Sequence, residues 1–265
     1  MRGEDPQWAT YGLANRPFFL GHNGDFASLA QSVKCVGALK KLIREHSPAI
    51  VHSHLWQADH VAAAAAWHSG VPHVVSIHDT RPWLASRKPK AALRRALYRT
   101  LLRASGARFT ACAEAAKTYA CAHLGIPPSA VTVIRNGIDP SWLTGNPGAP
   151  ASPDDKKVPI LGTAGLLQPG KGYEILLNAC AELDGRKIPV RLRIAGGGSL
   201  ESHYRRVASE LGIGDRVEFA GCVRDMKAFY DNLDIFVLPS FSEGLPLTIL
   251  EAMARKRPVV ASNVA

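Results

Sequence analysis

Apolar runs of strand length alternate with segments of helical periodicity along most of this chain. In the first half, the short runs that predict strands lie at residues 49–54, 71–79, 107–112 and 130–134. A second alternating series begins at Val158 and includes the apolar run 234–238. Strands that alternate with helices predict βαβ units, and therefore an α/β fold with parallel sheets.

A turn-rich stretch separates the two series. Residues 145–157 contain three prolines, few large apolar side chains and several small residues, which is typical of a linker. We therefore expect a first domain over residues 1–144 and a second over residues 158–265. A chain of 265 residues has enough material for two such cores.

Composition narrows the class of protein. The apolar share of 46% is that of a soluble globular protein, and no stretch of 18 uncharged apolar residues predicts a membrane span. The first residues lack the apolar core of a signal peptide. Five dispersed cysteines without a C-x-x-C pair favour reduced thiols and a cytoplasmic location over disulfides or zinc.

The net charge of +10 is concentrated in one segment. No acidic residue occurs between Arg81 and Ala113, and residues 90–104 predict a basic amphipathic helix with Leu93, Leu97 and Leu101 on one side. The basic residues of the segment 87–108 are Arg87, Lys88, Lys90, Arg94, Arg95, Arg99, Arg103 and Arg108. Such a helix can lie on anionic lipid on the inner face of a membrane, or it can be packed with a solvated basic face. Nucleic acid is disfavoured, because no aromatic residues interleave with the charges.

The most informative feature is a pair of glutamates eight positions apart, Glu243 and Glu251. Glu243 follows the strand-like run, and Gly244 and Pro246 break the chain before a segment with helical pattern that carries Glu251. Ligands of open α/β sheets bind at the carboxyl ends of strands, where a helix N-terminus offers N–H groups to phosphate. Two carboxylates beside a phosphate site suit a nucleotide-sugar, although spacing alone also allows two solvated glutamates.

Four further motifs occur along the chain, three before this pair of glutamates and one after it. They are Asn136-Gly137-Ile138-Asp139, the glycine-rich stretch from Gly165 to Gly172, the stretch from Arg193 to Gly198, and the stretch from Arg257 to Ser262. From about residue 35 to the end, the chain resembles the retaining glycosyltransferases of family 4. The resemblance implies the GT-B fold, in which two Rossmann-like domains with parallel sheets face each other across a cleft. Both domains look incomplete, so we expect the chain alone to be inactive.

The resemblance also implies roles for individual residues. Glu251 would accept hydrogen bonds from the ribose diol, Glu243 would contact the sugar, and His78 would lie in the active site near the leaving diphosphate. The implied donor-binding residues are Lys171, Gly165, Gly197, Gly244, Leu245, Leu247, Thr248 and Glu251. Leu166 departs from the family pattern, which usually has an arginine at that position for the phosphate.

No cofactor is expected beyond the nucleotide-sugar substrate. Glu201 replaces the third glycine of a G-x-G-x-x-G motif, which disfavours a dinucleotide cofactor. His52 and His54 share one side of a strand, but no third ligand stands at a usual spacing, so no metal site is predicted. The expected partners are a nucleotide-sugar donor and a glycan or lipid-linked acceptor. A nucleotide-sugar epimerase of the same architecture and an inactive remnant are the alternatives.

Overall fold

The computed structural model describes residues 29–80, 82–145 and 158–264. Its helices in these ranges are α1 (Leu29–His46), α2 (Trp56–Ser69), α3 (Pro82–Ala85), α4 (Pro89–Ala104), α5 (Glu114–Leu124), α6 (Tyr173–Gly185), α7 (Glu201–Glu210), α8 (Met226–Asp231) and α9 (Leu247–Ala254). Its strands there are β1 (Val51–His54), β2 (His73–Ile77), β3 (Arg108–Ala111), β4 (Val131–Val133), β5 (Ile160–Ala164), β6 (Arg191–Ala195), β7 (Val217–Gly221), β8 (Ile235–Leu238) and β9 (Val259–Ala261). The runs at 49–54, 71–79, 107–112 and 130–134 thus contain the first four strands, as predicted.

The strands form two sheets. The first has four strands in the order β1-β2-β3-β4, and the second has five in the order β7-β6-β5-β8-β9. The chain divides into two compact units, one formed by Met1–Ser76 with Lys88–Phe109 and the other by Ile77–Arg87 with Thr110–Ala265. The predicted domain boundaries stay a prediction, because the predicted linker lies, apart from Gly145, outside the described residues.

The first unit is built around α2. Three alanines of this helix, Ala63, Ala65 and Ala66, are fully buried, and small side chains let α1 and α4 pack closely against it. Strands β1 and β2 pair in parallel, with Val51 opposite His73. Burying three alanines contributes little apolar area per residue, so close packing rather than side-chain size stabilises this core.

Helix α4 confirms the predicted basic helix, but the side that carries Leu93 and Leu97 is not buried. The residues it buries are Tyr98 and Leu102, whereas Leu93 is 64% exposed and Leu97 is 58% exposed. The buried side of α4 is the one that carries Tyr98 and Leu102, and there Tyr98 Oη donates to Asp59 on α2 at 2.6 Å. Leu93 and Leu97 therefore do not pack against the unit, whereas Leu101 is half-buried, so packing through the whole leucine side is not observed.

A buried polar network joins four elements of the first unit. Asp59 on α2 accepts from Ser53 Oγ at 2.8 Å and from Tyr98 Oη at 2.6 Å. His73 lies 2.9 Å through Nε2 from Ser53 Oγ and 3.2 Å through Nδ1 from Ser105 Oγ. Burial lowers the pKa of His73, against the opposing effect of nearby Asp59. Because each group has a partner, the network stabilises the unit without leaving buried polar atoms unsatisfied.

The second sheet is fully parallel in its described pairings and has β5 at its centre. Alternate residues of the strands point to opposite faces. One face buries Leu192 and Ile194 with α6 and α7, and the other buries Phe236 with α8 and α9. Gly162 of β5 lets the side chain of Leu233 pack directly against the strand backbone, because a β-carbon there would lie 2.1 Å from Leu233 Cδ1. This doubly covered sheet carries the candidate site at its carboxyl edge.

Candidate functional site

Three loops of the second unit meet at the carboxyl ends of neighbouring strands. They span residues 165–172 after β5, residues 196–200 after β6 and residues 239–246 after β8. Parallel strands bring all their carboxyl ends to one edge, where ligands of open α/β sheets bind. The predicted donor-binding residues lie in these loops or in the first two turns of α9.

Backbone hydrogen bonds tie the loops to one another. The amide of Gly165 donates to Ala195 O at 2.9 Å, and the amide of Leu167 donates to Gly197 O at 3.0 Å. On the other side, the amide of Phe241 donates to Gly170 O at 2.9 Å. These bonds satisfy loop amides and carbonyls that would otherwise need water. The loop after β5 is therefore held between the loops after β6 and β8.

Two glycines permit backbone approaches that no other residue allows. A β-carbon at Gly172 would lie 2.0 Å from Pro239 O, and φ there is +71°, which also favours glycine. A β-carbon at Gly244 would lie 2.0 Å from His78 O and 2.9 Å from Cys112 Sγ. The two predicted catalytic positions, His78 and Glu243, are thus brought close in the chain fold through Gly244.

Lys171 and Glu243, which the sequence assigns to one site, form an ion pair. Lys171 Nζ donates to Glu243 Oε1 at 2.7 Å, and the two side chains are 28% and 14% exposed. Partial burial strengthens such a pair relative to one on the open surface. A ligand phosphate would compete with Glu243 for the lysine, while Glu243 keeps a second carboxylate oxygen for a hydroxyl donor.

Helix α9 places its N-terminus and Glu251 on the same loop cluster. Pro246 is the N-cap residue, so the helix begins one residue later than the proline, at Leu247. The amides of Leu247 and Thr248 have no acceptor among the residues that the structure describes, as expected for a first helical turn. Glu251 lies in the second turn, where Tyr230 Oη donates to its Oε2 at 2.8 Å.

The backbone of Leu245 is held by residues that lie before the second sheet. Its carbonyl accepts from Asn136 Nδ2 at 2.8 Å, so the Asn-Gly-Ile-Asp motif contacts the loop of the glutamate pair. Thr80 Oγ1 and Ser242 Oγ lie 2.8 Å apart on the same loop. Burial raises the pKa of the Cys112 thiol, and a hydrogen bond from Leu245 partly opposes this. The loop that presents Glu243 is therefore fixed on both sides.

The sequence analysis discussed two further positions, Leu166 and the pair of His52 and His54. Leu166 is 60% exposed in the loop after β5, where it adds no charge to the site. The rings of His52 and His54 are tilted by 42° with centroids 4.2 Å apart, and His52 Nε2 lies 2.8 Å from Ser76 Oγ. Across the described ranges, no group of three or more His, Cys, Asp or Glu side chains could hold a metal ion.

Sequence reasoning missed three residues of the site. Tyr173 Oη donates to Gly165 O at 2.9 Å, and burial raises its pKa. Ser240 is 1% exposed, and its hydroxyl has no hydrogen-bond partner in the part of the chain that the structure describes. Tyr230, the donor to Glu251, lies 21 residues before it. No local pattern could identify them, because the tertiary fold creates both the burial of Ser240 and the contacts of the two tyrosines.

Solved structures identify the class of this fold. HepE from Anabaena, in complex with UDP and glucose, is similar with a TM-score of 0.70 and 23% identity, over 92% of this chain and 66% of that one. The two parallel-sheet α/β arrangement is the GT-B fold of glycosyltransferases, which confirms the predicted fold class.

Family models then cover nearly all of the chain. Residues 11–142 match the family described as Glycosyltransferase Family 4, and residues 158–265 match the family described as Glycosyl transferases group 1. Each of the two segments is thus similar to a family of glycosyltransferases, the first to family 4 and the second to group 1.

Two curated relatives show the range of the family. The putative glycosyltransferase EpsF of Bacillus subtilis is 27% identical over 85% of this chain and 60% of its own length. The D-inositol 3-phosphate glycosyltransferase of Stackebrandtia nassauensis is 31% identical over 81% of this chain and 53% of its own length. The chain thus spans a little more than half the length of these relatives.

Proposed function

We propose that this protein is a retaining glycosyltransferase that moves a sugar from a nucleoside diphosphate sugar to an acceptor hydroxyl. The observation that carries the proposal is the arrangement at the carboxyl edge of the second sheet. There Lys171, Glu243 and the first turn of α9 lie on one loop cluster, with Glu251 one turn further on. Relatives bearing the glycosyltransferase name favour transfer over the epimerase alternative.

The geometry suits recognition of a nucleoside diphosphate sugar. The amides of Leu247 and Thr248 have no acceptor among the described residues and lie at the positive end of the helix dipole, so they would donate to a phosphate together with Lys171. Glu243 would then accept from sugar hydroxyls, and Glu251 from the ribose. HepE, a structural neighbour, binds UDP and glucose in its solved complex, which supports a donor of this class.

The chemistry follows from where charge develops. As the glycosidic bond breaks, negative charge builds on the leaving diphosphate, and fixed N–H donors and a lysine stabilise it more in the transition state than in the ground state. Retention is expected from the resemblance to family 4, with the leaving phosphate accepting the proton of the incoming hydroxyl on the same face. His78 follows β2 beside Gly244 and would lie near that phosphate. No resident metal or cofactor enters this proposal.

Donor binding and turnover test the proposal. The chain is titrated with UDP, GDP and ADP by calorimetry, and we expect one of them to bind, with weaker binding by Lys171→Gln. Lys41→Gln is the matched control, because Lys41 is 71% exposed on α1. Incubation with UDP-glucose, UDP-galactose and GDP-mannose tests the expectation that the chain alone is inactive, and the anomeric configuration of any product tests retention. Failure to bind any of the three diphosphates would contradict the proposal.

A second observation favours contact with an anionic membrane surface. Leu93 and Leu97 are exposed one helical turn apart on α4, and Lys90 and Arg103 are exposed on the same helix. Exposed apolar side chains beside basic ones are typical of helices that lie in a lipid interface. None of the helices in the described ranges has the length and apolar character needed to cross a bilayer.

Vesicle sedimentation tests this surface. Vesicles rich in phosphatidylglycerol should bind the chain more than phosphatidylcholine vesicles do, and added salt should weaken binding, because charges are screened over about 8 Å at physiological ionic strength. Leu93→Ser with Leu97→Ser should reduce binding, whereas Ile188→Ser, an exposed apolar residue of the second unit, should not. Equal binding by all three proteins would remove α4 as the membrane contact. A lipid-linked or saccharide acceptor is proposed on the same ground.

A further inference from the structure

The two oxygens of Glu251 have different surroundings. Oε2 accepts a hydrogen bond from Tyr230 Oη at 2.8 Å. Among the residues that the structure describes, no donor contacts Oε1, and the residue as a whole is only half-buried. A carboxylate has about four lone-pair sites, so this one keeps unused acceptor capacity toward the residues that the structure describes.

Tyr230 is held in a single orientation. It is 0% exposed, and its ring packs edge-on against Phe229, Phe236 and Trp142, at centroid distances of 5.6, 5.4 and 5.9 Å. Edge-to-face contacts of this kind have a preferred geometry. The backbone of Trp142 is itself fixed, because Arg255 Nη1 donates to its carbonyl at 3.1 Å. The tyrosine hydroxyl therefore has a fixed position.

This fixed hydroxyl determines how Glu251 is presented. Burial and the neighbouring carboxylate raise the pKa of Tyr230, so the hydroxyl stays protonated and remains a donor. With Oε2 engaged, rotation of the carboxylate about its last bond would break a hydrogen bond to a charged acceptor. A ligand that needs Oε1 meets an oxygen whose position is set before binding, which reduces the ordering cost on binding.

We propose that Tyr230 is a positioning residue that sets Glu251 to recognise the vicinal hydroxyls of a ribose, and so makes the site selective for ribonucleoside over deoxyribonucleoside diphosphates. This inference depends on the proposed function, because it takes Glu251 to contact the nucleotide. Tyr230 itself touches no substrate in this scheme. Its effect is confined to the ribose hydroxyls, which distinguishes it from a purely structural tyrosine.

The test compares two proteins, with and without the tyrosine hydroxyl, and two ligands, with and without the 2′-hydroxyl. Calorimetry measures the affinity of the best-bound diphosphate among UDP, GDP and ADP, and of its 2′-deoxy form, for the wild-type chain and for Tyr230→Phe. A ligand that loses one hydroxyl donor to a carboxylate should bind the wild-type about ten-fold more weakly. In Tyr230→Phe we expect this preference for the ribonucleotide to fall to about three-fold or less, because the glutamate is no longer fixed.

Tyr98→Phe is the matched control. Tyr98 is a buried tyrosine, 4% exposed, which also donates to a carboxylate, Asp59, but in the first unit. The Tyr98→Phe substitution should lower the thermal stability of the protein and leave the preference for the ribonucleotide at its wild-type value. Glu251→Ala tests the role of Glu251 separately from that of Tyr230. If Glu251 contacts the ribose, this substitution should abolish the preference for the ribonucleotide.

The outcomes distinguish the inference from the function on which it depends. A preference that vanishes in Glu251→Ala and shrinks in Tyr230→Phe supports both. A preference that vanishes in Glu251→Ala but is unchanged in Tyr230→Phe overturns the inference alone. An equal loss of affinity for both nucleotides in Tyr230→Phe assigns the tyrosine a structural role and also overturns it. An unchanged preference in Glu251→Ala, or no binding by the wild-type, overturns the proposed role of Glu251 and the inference with it.

Discussion

Asp59 in the first unit and Glu251 in the second have the same kind of partner, a buried tyrosine that donates to the carboxylate. Tyr98 donates to Asp59 at 2.6 Å, and Tyr230 donates to Glu251 at 2.8 Å. They differ in what the second oxygen does. Asp59 is 0% exposed and its other oxygen accepts from Ser53, whereas the other oxygen of Glu251 has no donor in the described part of the chain.

The difference separates a structural carboxylate from a binding one. A buried carboxylate whose oxygens are all engaged by protein donors contributes to stability, because its desolvation is offset by those hydrogen bonds. A half-buried carboxylate with an oxygen to spare contributes less to the fold and can accept a ligand. In our proposal, the same tyrosine–carboxylate contact thus stabilises one unit and positions a ligand-binding glutamate in the other.

Removing the structural carboxylate should have the largest effect. Asp59→Ala leaves the buried hydroxyls of Ser53 and Tyr98 without their acceptor, so we expect the free energy of unfolding to fall by about 3–5 kcal/mol. Urea unfolding followed by circular dichroism measures this. Glu182→Ala, which breaks an exposed ion pair with Arg186, should change it by less than about 0.5 kcal/mol. A loss for Asp59→Ala no larger than that of the control would contradict the comparison.

Removing the carboxylate of Glu251 should reduce ligand affinity more than it reduces the free energy of unfolding. Glu251→Ala should weaken binding of a nucleoside diphosphate by about 1.5–3 kcal/mol, because hydrogen bonds to a charged acceptor are lost. Its stability should fall by only about 1 kcal/mol, the contribution of one hydrogen bond from Tyr230. Calorimetry and urea unfolding on the same protein give both values. Unchanged affinity together with a large stability loss would place Glu251 in the same class as Asp59.

The first unit should also respond to pH through His73. Burial lowers the pKa of this histidine in the folded chain below its ordinary value of 6.5. The unfolded state therefore binds more protons, so stability is complete above about pH 6.5 and is lost as the pH falls through 6.5 toward the folded value. Urea unfolding between pH 5 and 8 should show this slope, and His73→Gln should flatten it, whereas exposed His68→Gln should not. A parallel slope in His73→Gln would assign the pH dependence to other groups.

The smallest expected change is a gain in the second unit. Leu166→Arg would add a cation beside the phosphate site at a position that is 60% exposed, so the gain in diphosphate affinity should be at most about 1 kcal/mol. The gain should shrink as salt rises. Leu166→Gln serves as the uncharged control, measured in the same titration. Equal affinity of both variants at low salt would show that residue 166 lies too far from the phosphate to contribute.

Much of the fold was predictable, because its signals are local. The alternation of strand-like and helical segments identified β1 to β4, and Gly244 with Pro246 located the loop and the start of α9 to within one residue. Such signals work because strand alternation, glycine flexibility and proline geometry act within a few residues of the chain. The motif order likewise sufficed for the GT-B fold.

Side-chain partners were not predictable, because they come from distant parts of the chain. The leucine periodicity of α4 predicted an amphipathic helix, but the side that it buries carries Tyr98 and Leu102, and Tyr98 donates there to Asp59, 39 residues away. The ion pair of Lys171 with Glu243 spans 72 residues. In each case the burial of a polar group required a partner, and only the folded chain could supply it.

The sequence by itself therefore determined the parallel α/β architecture, the positions of the loops and the presence of two glutamates at the carboxyl edge of a strand. The tertiary structure alone decided that Tyr230 donates to Oε2 of Glu251, while Oε1 has no donor in the described part of the chain. The physical reason is that loop and strand positions follow from short-range backbone preferences, whereas the satisfaction of a carboxylate depends on donors that packing brings from elsewhere in the chain.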